Sequence, residues 1–176
     1  MRLLAATVLA MAAAAAHAQH QPYAGQEQRD LKALSVDEVR QYLEGAGLGY
    51  AKTAELNHYP GPAHVLELAE QLALGREQRS EIQRLRDAHR IEARAIGVKL
   101  VEAERNLEML FRRGKFGETE LAGAVRTSAV LQGEYRLSHL ETHRRLRAML
   151  TDEQVARYDA LRGYAAQSGT PHHGRN

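Results

Sequence analysis

Two stretches of this chain carry their apolar and small residues at steps of three and four, and a short glycine-bounded turn separates them. In the first, Ile82, Leu85, His89, Ala93, Ile96, Leu100, Ala103, Leu107 and Leu110 share one helical face. In the second, the stripe runs through Leu121, Ala124, Ser128, Leu131, Tyr135, His139, Thr142, Leu146 and Met149. Folding the chain back at Gly114–Gly117 places Leu85 opposite Leu146, Ile96 opposite Tyr135, Leu100 opposite Leu131, and Ala103 opposite Ser128. Two stripes read separately therefore match as partners. The spacing predicts an all-α fold built on a long antiparallel helical hairpin over Glu77–Arg113 and Glu118–Met149, about 55 and 48 Å long at ~1.5 Å per residue.

The flanks read as shorter helices. Ser35 and Glu38 form one capping box: the hydroxyl accepts from the third helical amide and the carboxylate reaches back to the cap amide. Thr151 and Gln154 repeat the pattern behind Leu150. Leu74 and Gln78 repeat it with Gly75 at the cap position, which offers no side chain. Short helices are expected over Ser35–Glu44, Leu48–Asn57, Pro62–Leu72 and Thr151–Tyr164. Pro62 suits a first helical position, after the Tyr59-Pro60-Gly61 turn. A two-helix layer cannot bury both its faces against itself. The hairpin is thus expected to pair as a homodimer or to leave a concave binding surface open.

Residues 1–18 read as an export signal. Arg2 precedes the unbroken apolar run Leu3–Ala16, and Ala16-His17-Ala18 is a small-x-small cleavage site. The run is shorter than the ~20 residues that span a bilayer, so no membrane span is expected after processing. The predicted organisation is a signal at 1–18, an N-terminal extension at 19–62, the hairpin domain at 63–165 and a disordered tail at 166–176. Loss of Arg2 takes the formal charge from +2 (24 basic against 22 acidic side chains) to +1, which argues against a nucleic-acid partner. The absence of cysteine excludes disulfides, thiol catalysis and thiolate metal sites.

The repeated Leu-x-x-x-Gln boxes carry a resemblance. Leu150-Thr151-Asp152-Glu153-Gln154 matches the LTxxQ signature of the Spy/CpxP-type periplasmic proteins, and Leu74-Gly75-Arg76-Glu77-Gln78 matches it apart from Gly75. One box precedes the hairpin and one follows it, so the resemblance covers Val65–Tyr164. It implies a periplasmic helical hairpin that dimerises into a curved cradle. It also implies a non-catalytic, chaperone-like role toward unfolded or envelope proteins, or a partnership with an envelope stress system such as a sensor kinase or sigma-factor pathway. A related branch comprises periplasmic heavy-metal sensors and resistance proteins.

Two side-chain groups stand out as candidate sites. His139 and His143 are spaced i, i+4 on one helix face, and the hairpin brings His89 to their height with Glu92 one turn away. Three imidazoles and a carboxylate suit Zn, Ni or Co, although no cofactor is required by the fold. His143 is expected to lie off the deep part of the stripe and to be removable without loss of fold. At the hairpin tip, Phe111, Arg112, Arg113 and Phe116 mix apolar area with positive charge, as a surface for unfolded clients would. Enzyme motifs are missing: there is no Gly-rich phosphate loop, no GxSxG and no HExxH. Glu55-x-x-His58 occurs once, whereas bundle di-iron sites need a pair, so it is read as structural.

Overall fold

Helix α4 (Arg76–Arg113) and helix α5 (Glu118–Arg147) form the long antiparallel pair, of 38 and 30 residues. The structure is a computed structural model described for residues 23–164; the expected signal at 1–18 and the tail with His172 and His173 lie outside the described residues. Gly114 ends α4 in the left-handed region (φ 64°), and its N–H donates to the carbonyls of Leu110 and Phe111. The register follows the stripes to within a residue or two near the turn. Ser128 donates to Glu104, Arg113 pairs with Glu120, and Tyr135 lies against Gly97. Four shorter helices complete the described chain: α1 (Val36–Glu44), α2 (Lys52–Glu55), α3 (Pro62–Glu67) and α6 (Asp152–Arg162).

Two of the short helices and the long α5 differ from their predicted lengths, and the backbone gives the reasons. Leu48 and Gly49 both take positive φ (49° and 78°), so the segment expected to be helical from Leu48 turns first and α2 spans only Lys52–Glu55. His58, at φ 68°, lies just beyond its other end. Helix α3 stops at Glu67 instead of Leu72. The chain then turns, with Ala73 at φ 49° and the Leu74 N–H donating to Ala69, which drops Leu72 and Leu74 into the core. Helix α5 gives way to a turn after Arg147, where Met149 N–H donates to Leu146 and Leu150 is buried.

The capping boxes form as the sequence indicates. Ser35 accepts from the Glu38 amide while Glu38 accepts from the Ser35 amide, and Thr151 and Gln154 repeat the exchange. The amide bonds from Ser35 hold the Glu38 carboxyl below its usual range. The two motif glutamines do more than cap. Gln78 Nε2 donates to Gln154 Oε1 (2.8 Å), and Gln154 Nε2 donates to Gln78 Oε1 (3.1 Å). Each amide also reaches a carbonyl of the other motif's neighbourhood, Gln78 to Met149 (2.7 Å) and Gln154 to Leu72 (3.3 Å). The pair thus ties the start of α4 to the start of α6 across the open end of the hairpin. Below it, Leu72, Leu74, Ile82, Leu85, Leu146 and Val155 belong to one buried cluster.

Gln78→Ala is expected to lower stability by about 2 kcal/mol, because it strands part of the Gln154 amide and the Met149 carbonyl in a partly buried place. In a chain of this size that is a drop of roughly 4–8 °C in melting temperature. A double-mutant cycle with Gln154→Ala should give a coupling of about 1 kcal/mol. Strictly additive losses would show that the pair is two independent caps.

The N-terminal extension supplies part of the cover that a bare hairpin lacks. It runs antiparallel to α4. Lys32 pairs with Glu108 (2.5 Å) and Arg112 donates to the Asp30 carbonyl (2.6 Å) toward the tip, while Arg94 donates to the Glu44 carbonyl (3.3 Å) further back. Tyr42, Tyr50 and Tyr135 pack edge-on beneath it, and Tyr135 donates to the Ala46 carbonyl (2.6 Å). Burial comes first among the causes that push the Tyr42 and Tyr135 phenols upward, so both stay protonated hydrogen-bonding groups. The second buried cluster gathers Leu31, Tyr42, Ala93, Leu100, Val101 and Tyr135, with Ile96 and Leu131 against it.

Candidate functional site

Where the extension leaves α1 and turns toward α2 and α3, it arches over the hairpin and borders a half-open cavity of about 560 Å³. One wall comes from the 45–64 segment, including Leu48, Leu56 and Pro62. The other comes from α4 and α5, through Arg86, His89, Arg90, His139 and His143. The three sequence-selected histidines therefore do line one space.

His89 lies at the height of His139, as the hairpin spacing predicts, and its ring packs edge-on to it, with centroids 4.4 Å apart. His139 also touches the Tyr135 ring (4.8 Å). The Nε2 atoms of His89 and His139 are buried and have no hydrogen-bond partner. Burial pushes both imidazoles down to about 4, with the neighbouring histidines adding like-charge repulsion, so both are neutral near pH 7.

His143 is not peripheral, as the sequence suggested, but buried. Its Nδ1–H donates to the Tyr59 carbonyl (2.7 Å). A Cβ on Gly61 would lie 3.1 Å from the His143 Cε1, so the 59–61 turn seats directly on this ring. His143 therefore anchors the extension, and its replacement by Ala would loosen the fold as well as remove a ligand.

Glu92 is exposed and does not line the cavity. The nearby carboxylate is Glu55, on α2. Its Oε1 accepts from the Tyr158 hydroxyl, while Oε2 is buried without a hydrogen bond and lies 3.7 Å from His143 Nδ1. His64 Nδ1 lies 3.7 Å from Glu55 Oε1. His58, the other half of the lone Glu-x-x-His motif, turns instead to Asp159 on α6, donating from Nδ1 (2.6 Å). Sequence reasoning missed the place of Glu55 because it depends on how the extension docks. The one available signal was the Glu55–His58 spacing itself.

Three imidazoles at one cavity raise the question of a metal. Among the described residues, no group of three or more His, Asp or Glu side chains is arranged to hold a metal ion. His89 and His139 meet through an edge-on ring contact, whereas a shared ion requires ring nitrogens that converge at about 2 Å from it.

At the other end of the hairpin, Phe111 and Phe116 meet edge to face (4.9 Å) and Phe111 is 59% exposed. The two arginines beside them are engaged: Arg112 with Glu108 (3.1 Å) and with the Asp30 carbonyl, Arg113 with Glu120 (2.5 Å). The tip is thus an aromatic pair framed by closed ion pairs, more apolar than the sequence implied.

A helical hairpin closed at its open end by two cross-bonded glutamine caps defines an all-α scaffold of the LTxxQ type. The chain belongs to that family: the LTXXQ motif family protein model, the Spy/CpxP family, matches residues 63–162. No curated protein and no solved structure matches the chain. The match begins at α3, so α1, α2 and half of the cavity wall lie outside it.

Proposed function

We propose that this is a non-catalytic periplasmic protein that holds unfolded or partner envelope proteins on the outer faces of its hairpin. The observation that carries the reading is the placement of the exposed apolar side chains. Ile91 (71% exposed) and Val98 are spaced i, i+7 on α4, and Val130 and Leu137 (63% exposed) repeat that spacing on α5. They form dispersed apolar stations between charged residues, not one continuous patch. Such a surface suits weak contact with many extended segments better than one rigid interface. Family membership supports the same reading. No helix among the described residues is long and apolar enough to cross a membrane, which agrees with a protein working in the periplasmic space. A second copy of the chain would extend these stations into a larger cradle.

The rival reading is a sensor or buffer for Zn, Ni or Co, favoured by the two neutral imidazoles whose Nε2 atoms lack partners. One experiment separates the two. Light scattering of a denaturing model client is followed with the protein present, with and without added Zn or Ni. Suppression without metal is expected. It should weaken clearly in the double variant Ile91→Ser/Leu137→Ser, whose helicity should not change because both residues point into solvent. No suppression, together with micromolar metal binding, would instead support the sensor.

A further inference from the structure

We propose that the cavity between the extension and the hairpin is a binding site for a small amphipathic carboxylate: an aliphatic tail among the apolar walls and a carboxylate on the α4 face. Four observations on this site converge. Its volume of about 560 Å³ falls within the ~300–1,000 Å³ range of small-molecule sites. The 45–64 wall offers Leu48, Ala51, Leu56, Pro62 and Ala63, which suits an apolar body.

The third observation is charge. Lys52, Arg86 and Arg90 line the cavity, and none of them makes an ion pair or a side-chain hydrogen bond among the described residues. Elsewhere on the hairpin, Arg84, Arg112, Arg113 and Arg144 have carboxylate partners, whereas Arg76, Arg126, Arg136 and Arg145 form no ion pair among the described residues; what sets the cavity apart is that its three unpaired cations share one space. The one carboxylate lining the cavity, Glu55, already accepts from Tyr158. Three cations face one carboxylate, and His89 and His139 add no charge near pH 7. A metal ion would enter against that balance; an anion would enter with it.

The fourth is the spacing of the polar groups on the α4 wall. Arg86, His89 and Arg90 fall at i, i+3 and i+4 on α4, so two guanidinium forks flank an imidazole on a single face. Guanidinium forks match carboxylate geometry. Because one wall is the extension and the other the hairpin, a bound ligand would clamp the two together.

Calorimetric titration of the full chain with sodium octanoate, 1-octanol and octylammonium chloride tests the site. Octanoate should bind, and the neutral and cationic analogues should bind about tenfold more weakly or worse. The double variant Arg86→Gln/Arg90→Gln should lose about tenfold or more in octanoate affinity and keep its affinity for octanol. Neither arginine holds the fold by an ion pair, so circular dichroism of the variant should match the parent. Equal affinity for octanoate and octanol, preference for octylammonium, no heat with octanoate, or an unchanged octanoate affinity in the double variant would each overturn the proposal.

Discussion

The unfolding free energy of this protein is expected to fall steeply between about pH 6.5 and pH 4. The cause is the pair of buried imidazoles. His139 and His89 titrate near 6.5 in an unfolded chain and near 4 in the folded one. Between those values the unfolded state binds more protons, so stability rises with pH across the window. The contribution is fully present above pH 6.5, is lost as pH falls through the folded value, and changes no further below it. For His139, the depression of its titration corresponds to a loss on the order of 3 kcal/mol. His89 is less deeply buried and adds a smaller share. A domain with ~5–15 kcal/mol in hand would be brought close to its limit.

The groups around the pair give an imidazolium little relief. His143, Arg86 and Arg90 oppose a new positive charge, Tyr135 packs on His139 as a neutral phenol, and Glu55 lies against His143 and His64. Denaturant unfolding measured at several pH values would show the slope. It should flatten in the double variant His89→Leu/His139→Leu, which carries no proton to exchange. A wild-type curve that stays level from pH 7 to pH 4.5 would mean that the imidazoles are solvated. The extension, which seats on His143, should be the first segment to gain amide exchange as the pH falls.

The two imidazoles also mark how far the sequence could be read. Their presence on the hairpin stripe followed from the three-and-four spacing, because a helix repeats its own geometry and two long stripes test each other. The same holds for the caps at Ser35 and Thr151, where every hydrogen bond spans only three residues. What the sequence did not carry was anything set by docking. Glu92 lies beside the buried stripe of Ile82, Leu85, Ala93 and Leu100 and meets solvent, and Glu55 takes the inner place from a segment predicted only as a short helix. The Gln78–Gln154 pair was visible as two separate caps. Its closure across the hairpin joins residues 76 apart and depends on α3 ending early enough for Leu72 and Leu74 to drop inward. His143 looked peripheral because its partners, Tyr59 and Gly61, come from a turn whose position no local pattern sets.

Gly97 is where docking depends most on one residue, and Gly97→Ala is expected to detach the extension from the hairpin. A glycine in mid-helix costs about 1 kcal/mol relative to alanine, so by helix propensity alone this change should stabilise. The structure reverses the sign. A Cβ at position 97 would lie 2.0 Å from the Tyr42 carbonyl oxygen and 2.8 Å from its carbon. Both are backbone atoms and cannot swing aside as a side chain would. Either α1 moves off α4 or α4 distorts; α1 is the shorter and less anchored element. Overpacking alone costs ~1–3 kcal/mol, and detachment would also expose Leu31 and Tyr42, each worth ~1.5–3 kcal/mol of burial. The net loss should exceed about 3 kcal/mol for the docked extension, while α4 and α5 stay helical. Far-ultraviolet circular dichroism should therefore change little, whereas near-ultraviolet tyrosine signals and exchange protection over residues 31–45 should collapse. Gly123→Ala supplies the contrast: nothing lies within 4 Å of a Cβ there, so the same substitution on α5 should be neutral or stabilise by up to about 1 kcal/mol. Full protection of residues 31–45 in Gly97→Ala would refute the close crossing. Because the 45–64 segment forms one wall of the cavity, the variant should also lose octanoate binding that Gly123→Ala retains. That pairing separates a site built by the docked extension from one that the hairpin carries alone.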